Sequence, residues 1–144
     1  MKSISYRKDS AFFKDSDKVF SIKDNDDFRR MYRRGTKKGC RYIVVYVQRN
    51  KLSVNRLGIT VGKKFGNSVQ RNRMKRLIRE NYRIFNKDMI KGYDIVIAAR
   101  PSVRSAASPN NRLKAESVPK YSDIESDLKK ALISLDILRF NVKQ

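Results

Sequence analysis

The densest chemical signal in the chain is Gly62-Lys63-Lys64-Phe65-Gly66-Asn67-Ser68-Val69-Gln70-Arg71-Asn72-Arg73-Met74-Lys75-Arg76-Leu77-Ile78-Arg79-Glu80-Asn81-Tyr82-Arg83. From Lys63 to Arg83 eight cations face one acid, a net +7 and so a third of the formal charge of +21 in 21 residues. On a helix, Met74, Leu77, Ile78 and Phe85 share one side, while Asn72, Lys75, Arg76, Arg79 and Arg83 share the other. Such a face can simply be solvated. Two details favour a polyanion. Arg71, Arg73 and Lys75 crowd the first turns, where the helix dipole disfavours positive charge, so a local cost is tolerated. The same helix start offers free backbone amides preceded by Gly62 and Gly66, which together with Lys63 and Lys64 make a ready phosphate site. Arginine forks match phosphate geometry and stack on bases.

A second constellation is aromatic. Phe28 and Tyr32 on a first helix can meet Tyr42, Val44 and Tyr46 across a groove floored by a sheet. Aromatic side chains facing a groove stack on unpaired bases. The same residues serve equally well as ordinary core, and the sequence leaves both readings open.

Other chemistries are disfavoured. The chain has no histidine, the side chain that most often does acid and base work near neutral pH. Its acids lie mostly from Asp15 to Asp27 and from Glu116 to Asp136, positions that read as helix starts and solvated faces rather than a converging metal site. Cys40 is the only cysteine, which excludes an intramolecular disulfide and a cysteine-rich metal centre. No catalytic residue and no protein-held metal are expected.

The elements that must position these residues follow from 144 residues, enough for one domain with its own core. A charge of +21 repels itself in a compact chain and calls for an acidic partner. Residues 1–22 read as an arm that orders on binding, with Phe12, Phe13 and Phe20 as possible anchors. Residues 23–144 form the domain. Asn25 to Gly35 carries a capping residue, early acids, late cations and a terminal glycine, and predicts a short helix with Phe28, Met31 and Tyr32 as its apolar stripe.

Tyr42 to Gln48 and Arg56 to Gly62 read as strands joined by a polar turn, and are expected to pair as a hairpin. Ser68 to Phe85 is a strong helix, and Tyr93 to Ala99 a buried strand after Gly92. A last helix from Ser122 to about Phe140 is expected to open with a Ser122–Glu125 capping box. Residues 101–121, with all three prolines, form a flexible insertion before it. No stretch reaches the roughly 20 apolar residues of a membrane span, and residues 1–9 do not read as a secretory signal, so the cytoplasm is expected.

The run Gly58 to Val69 followed by Arg71-Asn72-Arg73-Met74-Lys75-Arg76-Leu77-Ile78-Arg79 closely resembles the signature of the bacterial ribonuclease P protein family. The likeness extends from about Asn25 to Arg100. It implies an α/β (α+β) two-layer sandwich, a small mixed sheet with about three helices, whose signature helix joins two parallel strands by a left-handed crossover, against the usual hand. It also implies that Lys63, Lys64, Asn67, Arg71, Asn72, Arg73, Lys75, Arg76, Arg79 and Arg83 meet a catalytic RNA subunit. By the same resemblance Phe28, Tyr32, Tyr42, Val44, Tyr46 and Arg56 fall on a groove for the single-stranded 5′ leader of precursor tRNA. The implied reaction is endonucleolytic removal of that leader, with magnesium held mainly by RNA and no catalysis by the protein alone.

The arm and the insertion at 101–121 depart from the family pattern, and Arg104, Arg112, Lys114 and Lys120 make the insertion a candidate backbone contact. A structural RNA-binding protein fits the composition as well, and only the signature disfavours it. A protein nuclease lacks a visible residue set, and no helix stands out as a reader of DNA bases.

Overall fold

The computed structural model describes residues 18–101 and 118–138. Within these residues five strands, β1 (Phe20–Ser21), β2 (Thr36–Gly39), β3 (Ile43–Arg49), β4 (Arg56–Thr60) and β5 (Tyr93–Ala99), form one mixed sheet in the order β1-β4-β5-β3-β2. Among the described residues three α-helices pack on it: α1 (Asn25–Arg34), α2 (Ser68–Asn86) and α3 (Tyr121–Ser134). The α+β architecture expected from the sequence is borne out. None of the described helices is long and apolar enough to cross a membrane.

Alternation along the strands divides the sheet into two faces. Ile43, Val45, Val47, Leu57, Ile95 and Ile97 point to one face and meet Met74, Ile78 and Tyr82 of α2 and Ile124, Leu128 and Leu132 of α3 in the main core. The opposite face carries Val96, which packs with Ile22 and Met31 in a smaller core flanked by Phe28 and Tyr46. Among the described residues helix α1 covers part of that second face, and Val44, Tyr46, Thr60 and Ala98 remain partly exposed on it. At Gly58 a side chain would lie 2.6 Å from the Phe28 ring, so glycine is what lets α1 close on β4.

The expected hairpin between β3 and β4 does not form. β5 lies between them, antiparallel to β3 and parallel to β4. Its Ile95, Val96 and Ile97 are fully buried, so it needs neighbours and cover on both sides, which only the sheet centre provides. The polar turn instead arches over the start of β5. The Asn50 N–H donates to the Gly92 carbonyl, the Asn55 amide donates to the Ile90 carbonyl, and the Tyr93 N–H donates to Asn55 Oδ1. Lys51 and Gly92 take positive φ there, 62° and 97°.

Two strands escape the sequence reading. β2, Thr-Lys-Lys-Gly, is exposed throughout and has no hydrophobic period; it is a short charged edge strand paired to β3. β1 pairs with β4 and Ile22 is buried, so the end of the expected arm is part of the sheet. Residues 1–17, with Phe12 and Phe13, lie outside the described residues.

The last helix also differs. It starts at Tyr121 and ends at Ser134, and the Asp123 carboxylate, not Glu125, reaches back to accept from the Lys120 N–H. Asp136 adopts φ 61°, and the Ile137 and Leu138 amides turn back to donate to the Leu132 carbonyl, so Leu138 is buried outside the helix. Of the expected insertion, residues 102–117 lie outside the described residues, while Val118 is buried in the main core.

Candidate nucleic-acid interface

Helix α2 is capped more tightly than its sequence promised. Asn67 Oδ1 accepts from the Gln70 N–H and Gln70 Oε1 accepts from the Asn67 N–H, both at 2.9 Å. This reciprocal box uses two amides of the helix start and fixes the approach from Gly66, where a side chain would strike the Gln70 amide. At Gly62 a side chain would meet nothing within 4 Å, so neither packing nor an unusual φ explains that glycine. Phe65, buried in the short 3₁₀ turn Lys63–Phe65, pins the loop to the main core and leaves Lys63 and Lys64 in solvent.

Burial of Met74, Ile78 and Tyr82, with Leu77 and Phe85 partly covered, turns the opposite side of α2 outward. Lys63, Lys64, Asn67, Asn72, Arg73, Arg76, Arg79 and Arg83 are exposed and Lys75 is half-buried. The structure therefore brings these predicted contacts onto one surface. Arg71 is the exception. Its guanidinium donates to the Gly66 carbonyl at 3.2 Å and to Ser68 Oγ at 3.3 Å, so it braces the loop. Among the described residues no α2 cation has a carboxylate partner, whereas Arg29, Arg30 and Arg56 do. Eight like charges gathered with one acid repel unless an anion neutralises them.

The open face between α1 and the sheet is the second part of the site. Tyr32 lies across its mouth, edge-on to Tyr46 with ring centroids 5.0 Å apart, its hydroxyl 2.9 Å from Thr60 Oγ1. It is 43% exposed, a large amount for an aromatic ring, and this leaves a stacking face available. Phe28 and Tyr46 are half-buried against the smaller core, and Val44 lies two residues from Tyr46 on the same face. Phe28, Tyr32, Val44 and Tyr46 thus share one groove.

Tyr42 and Arg56 sit differently from expectation. Tyr42 precedes β3 and packs on the main core, while its N–H donates to the buried Asp127 carboxylate at 2.7 Å. Arg56 points to the groove face but is held by Asp94, which is 2% exposed, and lies 3.5 Å from Asp27 on α1. That hydrogen bond with Asp94 raises the Arg56 pKa above its ordinary value. Arg30 completes the cluster, 2.9 Å from Asp27 and 3.8 Å from Asp94, with Nε donating to Gln48. Sequence reasoning missed this cluster; its only trace was an acid opening an otherwise apolar strand at Asp94. It ties α1 to the sheet and so sets the groove.

The chain resembles known proteins in both sequence and fold. Residues 17–132 match the family model described as Ribonuclease P. The ribonuclease P protein component of Clostridium botulinum (strain Loch Maree / Type A3) is 51% identical over 108 residues, covering 74% of this chain and 86% of that one. That of Natranaerobius thermophilus is 50% identical over 82 residues, 57% of this chain and 71% of the relative. The solved ribonuclease P protein of Staphylococcus aureus superposes with a TM-score of 0.65 at 33% identity, covering 85% of this chain and 100% of its own. The Thermotoga maritima protein gives 0.62 at 26% identity, over 76% and 92%. With its signature on the exposed face of α2 and its fold matched, the chain belongs to the bacterial ribonuclease P protein family, the protein subunits of an endoribonuclease that processes tRNA.

Proposed function

We propose that the exposed face of α2, with Lys63 and Lys64, docks on the phosphates of the catalytic RNA, and that the groove between α1 and the sheet holds the 5′ leader of precursor tRNA. The observation that carries the reading is the α2 surface, whose cations lack carboxylate partners within the described structure. Neutralising closely spaced phosphates lets two polyanions approach, and makes assembly steeply salt-dependent. A leader stacked on Tyr32 beside Tyr46 orients the scissile phosphodiester, a contribution of position rather than bond chemistry.

The reaction consumes one water and cleaves one P–O bond, releasing the leader and the mature tRNA 5′ end. We assign its magnesium mainly to the RNA. The carboxylates nearest the groove, Asp27 and Asp94, already face Arg30 and Arg56, and no group of three or more potential ligands gathers among the described residues. The cytoplasm is the compartment proposed for this work, and DNA is not a proposed partner.

The test is cleavage of a precursor tRNA at low magnesium by a bacterial ribonuclease P RNA, with and without the purified protein. Restored cleavage at the mature 5′ end, with the protein inert alone, is the expected result. RNA binding that leaves cleavage unchanged would reduce the reading to a general RNA-binding protein, and cleavage by the protein alone would overturn it.

A further inference from the structure

A second stretch of the chain is as cationic as α2. From Arg29 to Arg41 seven of thirteen residues are Lys or Arg and none is acidic. The fold gives some of these charges a role. Arg29 and Arg30 face Asp26 and Asp27, and Arg33 and Arg34 close α1, where the helix dipole favours cations. Lys38 and Arg41 have neither role, although the Arg41 guanidinium lies over the Tyr42 ring, 5.3 Å from its centroid. They flank Cys40 at the turn from β2 to β3, and distant segments bring more positive charge to the same place.

Arg100, just past β5, donates Nη1 to the Cys40 carbonyl at 2.7 Å. Lys130 arrives from α3, and Lys38, Arg100 and Lys130 all lie close enough for their charges to act on the Cys40 thiol. The acid facing that thiol is Asp127, which is buried and accepts from the Tyr42 N–H. Lys38, Arg41, Arg100 and Lys130 are all exposed, and none forms an ion pair among the described residues.

We infer that the β2–β3 turn is a second phosphate-binding surface for RNA, built by Lys38, Arg41, Arg100 and Lys130 at the β2 edge of the sheet, away from the β4 strand on which α2 packs. It rests on the reading that α2 binds RNA, and adds a second point of attachment. β2 is an edge strand three strand spacings from β4, against which α2 packs. At about 4.8 Å per spacing the separation is about 14 Å. That strand separation exceeds the screening length of about 8 Å at physiological salt, so phosphates on α2 relieve little of the repulsion at Lys38 on the β2 edge. Attachment at two separated points fixes the orientation of the protein on RNA, which one helix face does not. An anionic bilayer fits less well. The exposed large hydrophobics among the described residues, Tyr32, Val69, Ile84 and Ile90, are not at this turn, which has nothing of that kind to insert between lipids.

The RNA subunit and the tRNA body present the same phosphates, so the experiment has two arms. The full-length K38A/R41A/K130A variant, which keeps Arg100 on the Cys40 carbonyl, is compared with the unaltered chain after a circular dichroism melt shows equal folding. One arm measures binding to ribonuclease P RNA against salt concentration, and the other measures binding of precursor tRNA to the assembled holoenzyme. The expected result is a log–log salt slope shallower by about 2 to 3 in one arm, roughly 0.7–0.9 per lost phosphate contact, with affinity reduced about tenfold or more.

Loss in the first arm assigns the turn to the RNA subunit and loss in the second to the tRNA. Unchanged slopes and affinities in both arms overturn the inference while leaving the α2 reading intact. Failure of the unaltered chain to bind either RNA overturns both. Loss of binding to phosphatidylserine vesicles with both RNA slopes unchanged reassigns the turn to a membrane surface and also overturns it.

Discussion

The Arg56 guanidinium meets the Asp94 carboxylate side-on, Nε to Oδ1 at 2.8 Å and Nη2 to Oδ2 at 2.6 Å, across the neighbouring strands β4 and β5. Asp94 also accepts from the Asn50 amide at 2.9 Å, so one buried carboxylate joins the β3–β4 loop, β4 and, through Arg30 and Asp27, helix α1. Removing it leaves Arg56 half-buried without its main counter-ion.

Asp94→Asn is therefore expected to cost about 3 kcal/mol in urea unfolding. Because the cluster holds α1 over the groove, the variant is also expected to lose affinity for the leader while α2 binds ribonuclease P RNA as before. Equal losses for the two RNAs would show that the effect is global.

Gly58→Ala places a methyl group against the Phe28 ring. The expected cost is about 1–3 kcal/mol, as for other overpacked sites. A Phe28→Leu change in the same chain makes room, and the double variant is expected to recover part of that loss. Strict additivity in thermal melts would disprove the contact as the cause.

Tyr32 supplies the exposed ring of the groove. Replacing it with alanine is expected to weaken binding of precursor tRNA by about 1–3 kcal/mol, the contribution of one stacked base, with no effect on mature tRNA. Titrations of the holoenzyme with the two RNAs make the comparison. The Tyr32→Phe variant retains the ring, loses the Thr60 contact, and is expected to bind nearly as well.

Reversing Arg73, Arg76 and Arg79 to glutamate is expected to abolish binding of the RNA subunit in a gel-shift titration, with the thermal melt unchanged within about 1 kcal/mol. These side chains are exposed and make no ion pair among the described residues, so the fold has little to lose. Arg71 is left out because it braces the loop before α2.

Burial of the Tyr82 phenol, with the Asp94 charge adding to it, raises its pKa well above the ordinary 10.0. A raised folded value means that the unfolded chain loses this proton first, so the stability is complete below about pH 10 and falls as pH rises beyond it. Tyr82→Phe is expected to flatten that alkaline fall. Parallel pH dependences in the two proteins would exclude Tyr82 as its source.

Much of this protein was legible without coordinates because its signals are local. Helix α2 follows from its spacing of Met74, Leu77, Ile78 and Phe85, and its outward charge from the same periodicity, whereas its Asn67–Gln70 box appeared only in the structure. Buried strand β5 follows from the apolar run Ile95 to Ala99. What tertiary structure decided was which segments meet. The hairpin expected for β3 and β4 gave way because β5 needed burial on both sides, a demand that arises more than 30 residues downstream in the chain. β2 has no period of its own and exists through β3.

The same division runs through the site. That Phe28 and Tyr32 share a helix stripe and Val44 and Tyr46 a sheet face was readable from helical spacing and alternation, but whether they line a groove or fill a core was not. Arg56 was not, because a cation's role depends on whether a carboxylate lies within reach, and Asp94 is 38 residues away. Nor was the convergence of Lys38, Arg100 and Lys130 on Cys40, which three separate elements bring together. Periodicity acts over a few residues and can be read along the chain. Charge pairing and burial act through space, and only the folded arrangement determines which partners are near.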